Sequence, residues 1–203
     1  MTENTSQTTV NVDQTLPLLY TRISNVVFKA NNAVAISKSP FTFASQVHAY
    51  TGQSWSVDVS YPAMQRDDAE EVVSFLINLQ GPKNTFKMGD PNAQNSLEGL
   101  TENVTLSSDA LARSEFININ TLSGNENFRV GDYIELGDQF LKVVSVAGST
   151  LGIWPHLRRQ YNQGDVVYYT KPKGLFRLSS PSTSFSINNV SLYGISFSAE
   201  EVV

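Results

Sequence analysis

Cysteine is absent from the 203-residue chain, and histidine occurs only twice, as His48 and His156. The first absence excludes disulfides, thiolate catalysis and cysteine-ligated zinc, and it fits synthesis in a reducing cytoplasm. The second leaves little material for the base-and-orienter pairs of nucleophilic hydrolases. Charge is scarce too, at 16% of residues with a net charge of −5. A chain of net negative charge lacks the positive field that displaces counterions from nucleic acid. No window approaches the roughly 20 apolar residues of a membrane-spanning helix, so no membrane association is expected. The opening MTENTSQTTVNVDQT has neither a basic start nor an apolar run, so no signal peptide is expected there. Gly-x-Ser-x-Gly, His-Glu-x-x-His and Gly-x-x-x-x-Gly-Lys do not occur. No enzymatic activity, cofactor or metal site is expected. Glycosidase chemistry, which needs only two facing carboxylates, is the hardest class to exclude.

What is present reads as mainly β structure with one amphipathic helix. The most informative stretch runs from Gly52 to Pro91. Trp55, Val57, Val59 and Tyr61 alternate with Ser56, Asp58 and Ser60, the period-two pattern of a half-buried strand. Pro62 stops it, because proline cannot donate to a sheet ladder. A helix over 66–80 follows, with Ala69, Val72, Val73, Leu76 and Leu79 on one face and Phe75 widening the stripe. Asp67, Asp68, Glu70 and Glu71 crowd its first turns, where the helix dipole favours negative charge, although Gln65 is a poor cap. Gly81-Pro82 ends it. Phe86 and Met88 then form a short strand closed by Gly89-Asp90-Pro91, with Asp90 read as a turn former.

Upstream, residues 1–15 form a polar arm that needs a surface to lie on, either its own domain or a neighbouring subunit. Leu18–Tyr20, Val26–Phe28 and Val34–Ile36 are β-like runs, with a turn expected at Asn31-Asn32. A turn at Thr51-Gly52-Gln53 would pair the run from Phe41 to Ala49 with the Trp55 strand. Downstream, residues 92–99 read as a linker. Residues 101–170 contain short strands at Phe116–Ile119, Tyr133–Leu136, Phe140–Val146, Thr150–Trp154 and Val166–Tyr169, separated by Gly-Asp and Gly-Ser turns. That pattern predicts a small SH3-like or OB-like barrel. From 171 to 203 the alternation of the first part returns, with a bulge at Tyr193-Gly194. The expected organisation is a discontinuous β core of 16–100 and 171–203 with 101–170 inserted.

The order of these motifs carries a resemblance. A tryptophan-led strand ending in proline, the acidic helix, Leu79-Gln-Gly81 and Phe86-Lys-Met-Gly-Asp-Pro91 resemble the distal-tail, or tail-tip assembly, proteins of long-tailed bacteriophages. Gly131-Asp132-Tyr133-Ile134, Ile153-Trp154-Pro155, Leu157-Arg158 and Gly174–Leu178 extend the likeness to residues 50–180. The resemblance implies a tail-tube-like β-sandwich or barrel, assembled as a ring, commonly sixfold, at the distal end of the tail tube. Such a ring adapts the tube protein to the tail tip hub and fibres of the virion, and nucleic acid only passes through its lumen. It would be made in the host bacterial cytoplasm.

Three readings stay open for the basic cluster of Arg158, Arg159, Lys171, Lys173 and Arg177, interleaved with Tyr161, Tyr168 and Tyr169. It can be a groove for nucleic acid or anionic glycan, or a solvated edge whose tyrosines serve a core. It can also be half of a head-to-tail subunit contact facing Asp67 and Asp68 of the next copy, which charge reversal at Arg158 and Arg159 would weaken. The alternative function is a host-glycan-binding module of the tail tip, with Trp154, Tyr161, Tyr168 and Tyr169 as a sugar platform. The more usual role of Trp154 before Pro155 is to close the small barrel.

Overall fold

The computed structural model describes residues 15–17, 22–120, 122–123 and 127–202. The polar arm, apart from Thr15, and the run Leu18–Tyr20 lie outside them. The fold is mainly β, in several sheets, with one α-helix among the described residues. Its longest strands come first: β1 (Asn25–Lys38) and β2 (Ser45–Ser60) pair antiparallel along almost their whole length. The sheet continues through β12 (Tyr193–Glu201) and β10 (Gly174–Leu178) to β3 (Thr85–Met88), in the order β1-β2-β12-β10-β3, and β11 (Phe185–Ile187) pairs separately with β12. The chain therefore leaves this sheet after β3 and rejoins it at β10.

The alternation in β2 works as expected: Trp55, Val57 and Val59 are buried while Ser56 and Asp58 are not. The helix, α1 (Arg66–Asn78), buries Ala69, Val72, Val73 and Leu76. Burying each of the larger side chains is worth roughly 1.5–3 kcal/mol. That packing, rather than capping, holds the helix, because Gln65 makes no side-chain cap bond. Phe75 meets Phe86 of β3 edge to face at 5.9 Å. The helix stops short of residue 80 because Gln80 (φ 53°) and Gly81 (φ 67°) are left-handed, which turns the chain into the 3-10 turn Gly81–Lys83. Asp90 accepts the Asn92 N–H at 2.8 Å and so acts as a turn former.

Between β3 and β10 the chain builds a second set of sheets. β4 (Val104–Thr105) pairs with β9 (Val166–Val167). β5 (Phe116–Asn118), β6 (Tyr133–Leu136), β7 (Gln139–Ala147) and β8 (Thr150–Trp154) make a four-stranded antiparallel sheet in the order β5-β8-β7-β6. Isolated bridges Leu106–Ile119 and Glu135–Tyr168 join the two sheets. The tight β6–β7 and β7–β8 turns place Gly137 and Gly148 at φ 64° and 60°, where a side chain would strain. Ile117, Ile134, Leu136, Leu141, Val143, Leu151 and Ile153 form this part's own buried cluster.

The structure corrects several expectations. Asn31-Asn32 and Thr51-Gly52-Gln53 are not turns: β1 and β2 run through them, and the chain reverses at Ser39–Ala44 instead. Their small polar residues flank an irregularity, where Asn32 pairs with Gln53 and the next pair is Val34 with Ala49. Ala33 thus faces Tyr50-Thr51-Gly52, a bulge with its extra residues in β2. Tyr193-Gly194 is no bulge, since Ser186 pairs with Gly194 and Ile187 with Tyr193 in unbroken register. Trp154 does not close the second cluster. Its ring stands edge to face on Trp55 at 4.5 Å, against the first core.

Candidate assembly surfaces

The β1–β2 hairpin extends beyond the sheet as an arm. β12 accompanies β2 only from Ser60 to Ser56, so the rest of the hairpin stands clear of it. On one side of the arm Val34 faces Ala49 and Ile36 faces Val47; on the other, Ala35 faces His48 and Ser37 faces Gln46. The apolar side continues the face that carries Phe28 and Trp55 lower down, but there it has no cover: Ile36 is 70% exposed. The tip is well built. Ser39 Oγ accepts the N–H groups of Phe41 and Thr42, each at 3.3 Å, and Lys38 Nζ lies 5.2 Å from the centre of the Phe43 ring. This turn presents Phe41 with 92% of its surface exposed. A second apolar corner is formed by Phe185, Ile187 and Val190, all exposed, with Phe185 stacked on Tyr193 at 6.1 Å.

At the root of the arm the two parts of the molecule interlock. Phe140 of β7 is fully buried in the first core, stacked on Tyr133 at 4.7 Å, and its carbonyl accepts the Trp55 indole N–H at 2.9 Å. Trp154 Nε1 donates to Asn32 Oδ1 at 3.0 Å. His156 donates its backbone N–H to Gln53 Oε1 at 2.8 Å and points Nδ1 at the same oxygen. Arg158 Nη2 donates to the Gln53 carbonyl and, at 3.2 Å, to Glu201 Oε2, which also accepts the Trp55 backbone N–H at 3.1 Å. Gln139 joins the group, donating to the His156 carbonyl at 2.7 Å and accepting the Arg158 N–H at 3.0 Å. Burial pushes the Glu201 carboxyl above its ordinary range, against the opposing pull of the Trp55 N–H and of Arg158. Burial, then the Arg158 charge, hold His156 below the usual imidazole value.

The residues expected at a subunit contact are spread over the molecule. Arg158 is turned inward, so charge reversal there disturbs folding before it reports on assembly. Arg159 is exposed and lies over the Tyr161 ring at 5.1 Å. Lys171 is exposed; the Lys173 backbone N–H donates to Glu135 Oε2 at 2.9 Å, while its Nζ reaches Thr15 Oγ1 at 3.4 Å. Asp67 is exposed on α1, and its neighbour Asp68 pairs with Arg22 of the same chain. The aromatic residues weighed as a sugar platform do not share a surface. Tyr161 is buried and donates to the Leu136 carbonyl, Tyr169 donates to the Glu102 carbonyl, and only Tyr168 is exposed. Sequence reasoning took Gln53 only as a turn residue and passed over Gln139 and Glu201. Glu201 carried a signal, since it falls on the same inward parity of β12 as Ile195 and Ala199.

Among the described residues, no group of three or more His, Asp or Glu is placed to hold a metal ion, and no helix is long and apolar enough to cross a membrane. Comparison of the chain with models of known protein families and with curated protein sequences gives no match.

Proposed function

We propose that the chain is a structural protein of a bacteriophage tail, which assembles with copies of itself into a ring at the distal end of the tail tube and performs no catalysis. The observation that carries this reading is the arm. An isolated two-stranded hairpin is marginal in water, and an uncovered apolar face on one calls for a partner. The apolar corner at Phe185, Ile187 and Val190 is a second, different surface, and closed rings form where two unlike patches of one chain meet head to tail. The motif order from Trp55 to Leu178 resembles that of distal-tail proteins and supports the location at the virion tip, between tube protein and hub. In this reading the first sheet with α1 is the tail-tube-like core, and the sheets of 104–167, joined by their bridges, are an inserted small barrel.

Negative-stain imaging and mass photometry of the purified chain test the proposal. Rings are expected from the parent, and Ile36→Asp with Val47→Asp should leave single chains with an unchanged circular dichroism spectrum. A parent that stays monomeric at high concentration, or an arm variant that assembles as well as the parent, refutes it.

One observation favours the glycan-binding alternative. A groove of about 460 Å³ on the second part is lined by Leu111, Arg113, Phe116 and Asn118, with the Phe116 ring exposed. An exposed aromatic face beside polar groups suits a sugar ring. Binding on a glycan array that is lost in Phe116→Ala would favour that reading.

A further inference from the structure

The arm leaves its sheet at one place, and side chains take over there from a missing strand. β12 pairs with β2 as far as Ser56, opposite Glu200. One residue further out, the Trp55 N–H that a longer β12 would satisfy is taken by the Glu201 side chain, and the Gln53 carbonyl is taken by Arg158. Asn32 and Gln53 are direct cross-strand partners, and theirs is the last pair before the bulge. Both are gripped from the second part, Asn32 by Trp154 and Gln53 by His156 and Arg158. Just beyond, the strands crowd at the bulge: a Cβ at Gly52 would stand 3.0 Å from the Ala33 Cβ. Bulges bend and twist a hairpin, so the position of this pair sets where the arm points.

We propose that the part built on residues 104–167 is a brace for the arm. It fixes the arm's direction by holding the Asn32–Gln53 pair, and any displacement of that part by a neighbour or ligand swings the arm. The grip has two discrete anchors besides the polar contacts, Phe140 and Trp154, both packed against the first core. Packed anchors of this kind shift as units rather than deform gradually. The inference concerns a single chain and does not depend on ring assembly.

The absence of cysteine allows a direct test. Nitroxide labels at Ser37→Cys on the arm and Glu71→Cys on α1, both exposed positions, report the angle of the arm by pulsed electron resonance. Labelled chains are diluted in unlabelled ones so that only distances within one chain are read. The parent should give one narrow distance distribution. Asn32→Ala with Gln53→Ala removes the side-chain bonds to Trp154 and His156, leaving only the Arg158 bond to the residue-53 carbonyl, without touching the buried core, and should shift or broaden it. Trp154→Phe keeps a ring against Trp55, removes the donor to Asn32 while sparing the Gln53 contacts, and should give a smaller change in the same direction. Arg129→Ala, which breaks an exposed ion pair with Glu98 elsewhere, should leave the distribution as in the parent. A distribution unchanged in Asn32→Ala/Gln53→Ala, or changed equally by Arg129→Ala, overturns the brace.

Discussion

Replacing Arg158 with Met removes the cation 3.2 Å from Glu201 Oε2 and the donor to the Gln53 carbonyl. Glu201 stays behind with 2% of its side chain exposed and one remaining donor, the Trp55 N–H. Stranding one member of a buried ion pair costs about 3–5 kcal/mol. Glu201→Gln is milder. The amide oxygen still accepts from Trp55, and Arg158, already 18% exposed, keeps the Gln53 carbonyl and reaches water with its remaining donors. What is lost is then one charge-assisted hydrogen bond, about 1.5–3 kcal/mol. Arg158→Met should therefore be the more destabilising change at neutral pH, although it removes the less buried residue.

Acid then separates the two further. Glu201 titrates above its ordinary value of 4.5 because burial disfavours the charge. An acid whose folded pKa is raised adds stability that is fully present below the unfolded pKa and lost as pH rises through the folded one. Without Arg158 the carboxyl titrates higher still, so the penalty of Arg158→Met should shrink as pH falls from neutral toward 4.5. Urea unfolding followed by fluorescence suits the measurement, since both tryptophans, Trp55 and Trp154, flank this site. The double variant Arg158→Met/Glu201→Gln should recover much of the loss, because a neutral amide keeps the Trp55 bond and needs no buried cation beside it. A cost for Arg158→Met no greater than for Glu201→Gln, or one that ignores pH, refutes the reasoning.

Two further outcomes follow from packing. Phe140→Ala empties a fully buried site between Phe28, Trp55 and Tyr133, and should cost about 3–5 kcal/mol in denaturant unfolding, as well as splitting the melt into two transitions in calorimetry. Gly89→Ala should cost about 1–3 kcal/mol, read as a lowered Tm, because its Cβ would stand 2.0 Å from the Pro172 carbonyl oxygen, a backbone atom with little room to move.

Periodicity reports burial on one face, and wherever a segment is covered on one face by its own chain it reads correctly. α1 and the Trp55 strand are of this kind, since the same residues that repeat at helical or strand spacing are the buried ones. Turn chemistry is more ambiguous. Asn31-Asn32 and Thr51-Gly52-Gln53 mark a backbone irregularity, and a hairpin turn and a bulge ask for similar residues. Charge is the least informative: Arg158 and Arg159 are adjacent and chemically alike, yet one is tied to Glu201 inside the molecule and the other lies outside over Tyr161. Nothing local distinguishes them, because the difference comes from Gln53 and Glu201, far away in sequence.

The arm turns this relation around. Val34, Ile36, Val47 and Ala49 carry the alternation of a strand with one buried face, and beyond the bulge the arm is paired in register, but the face is bare. A sequence pattern that calls for cover, on a hairpin whose direction is set by polar contacts at its root, is costly for a solitary soluble chain, since exposed edges and apolar faces invite association. The same features become useful if the missing cover is another molecule. The bare face gives affinity, and the bonds at Asn32 and Gln53 give a fixed direction of approach, which lowers the conformational entropy lost on binding. On this view the departure from self-contained burial and the cluster of polar contacts at the root are two halves of one arrangement, and weakening either should impair assembly by different routes: Ile36→Asp by removing contact, Asn32→Ala/Gln53→Ala by widening the range of directions in which contact is offered.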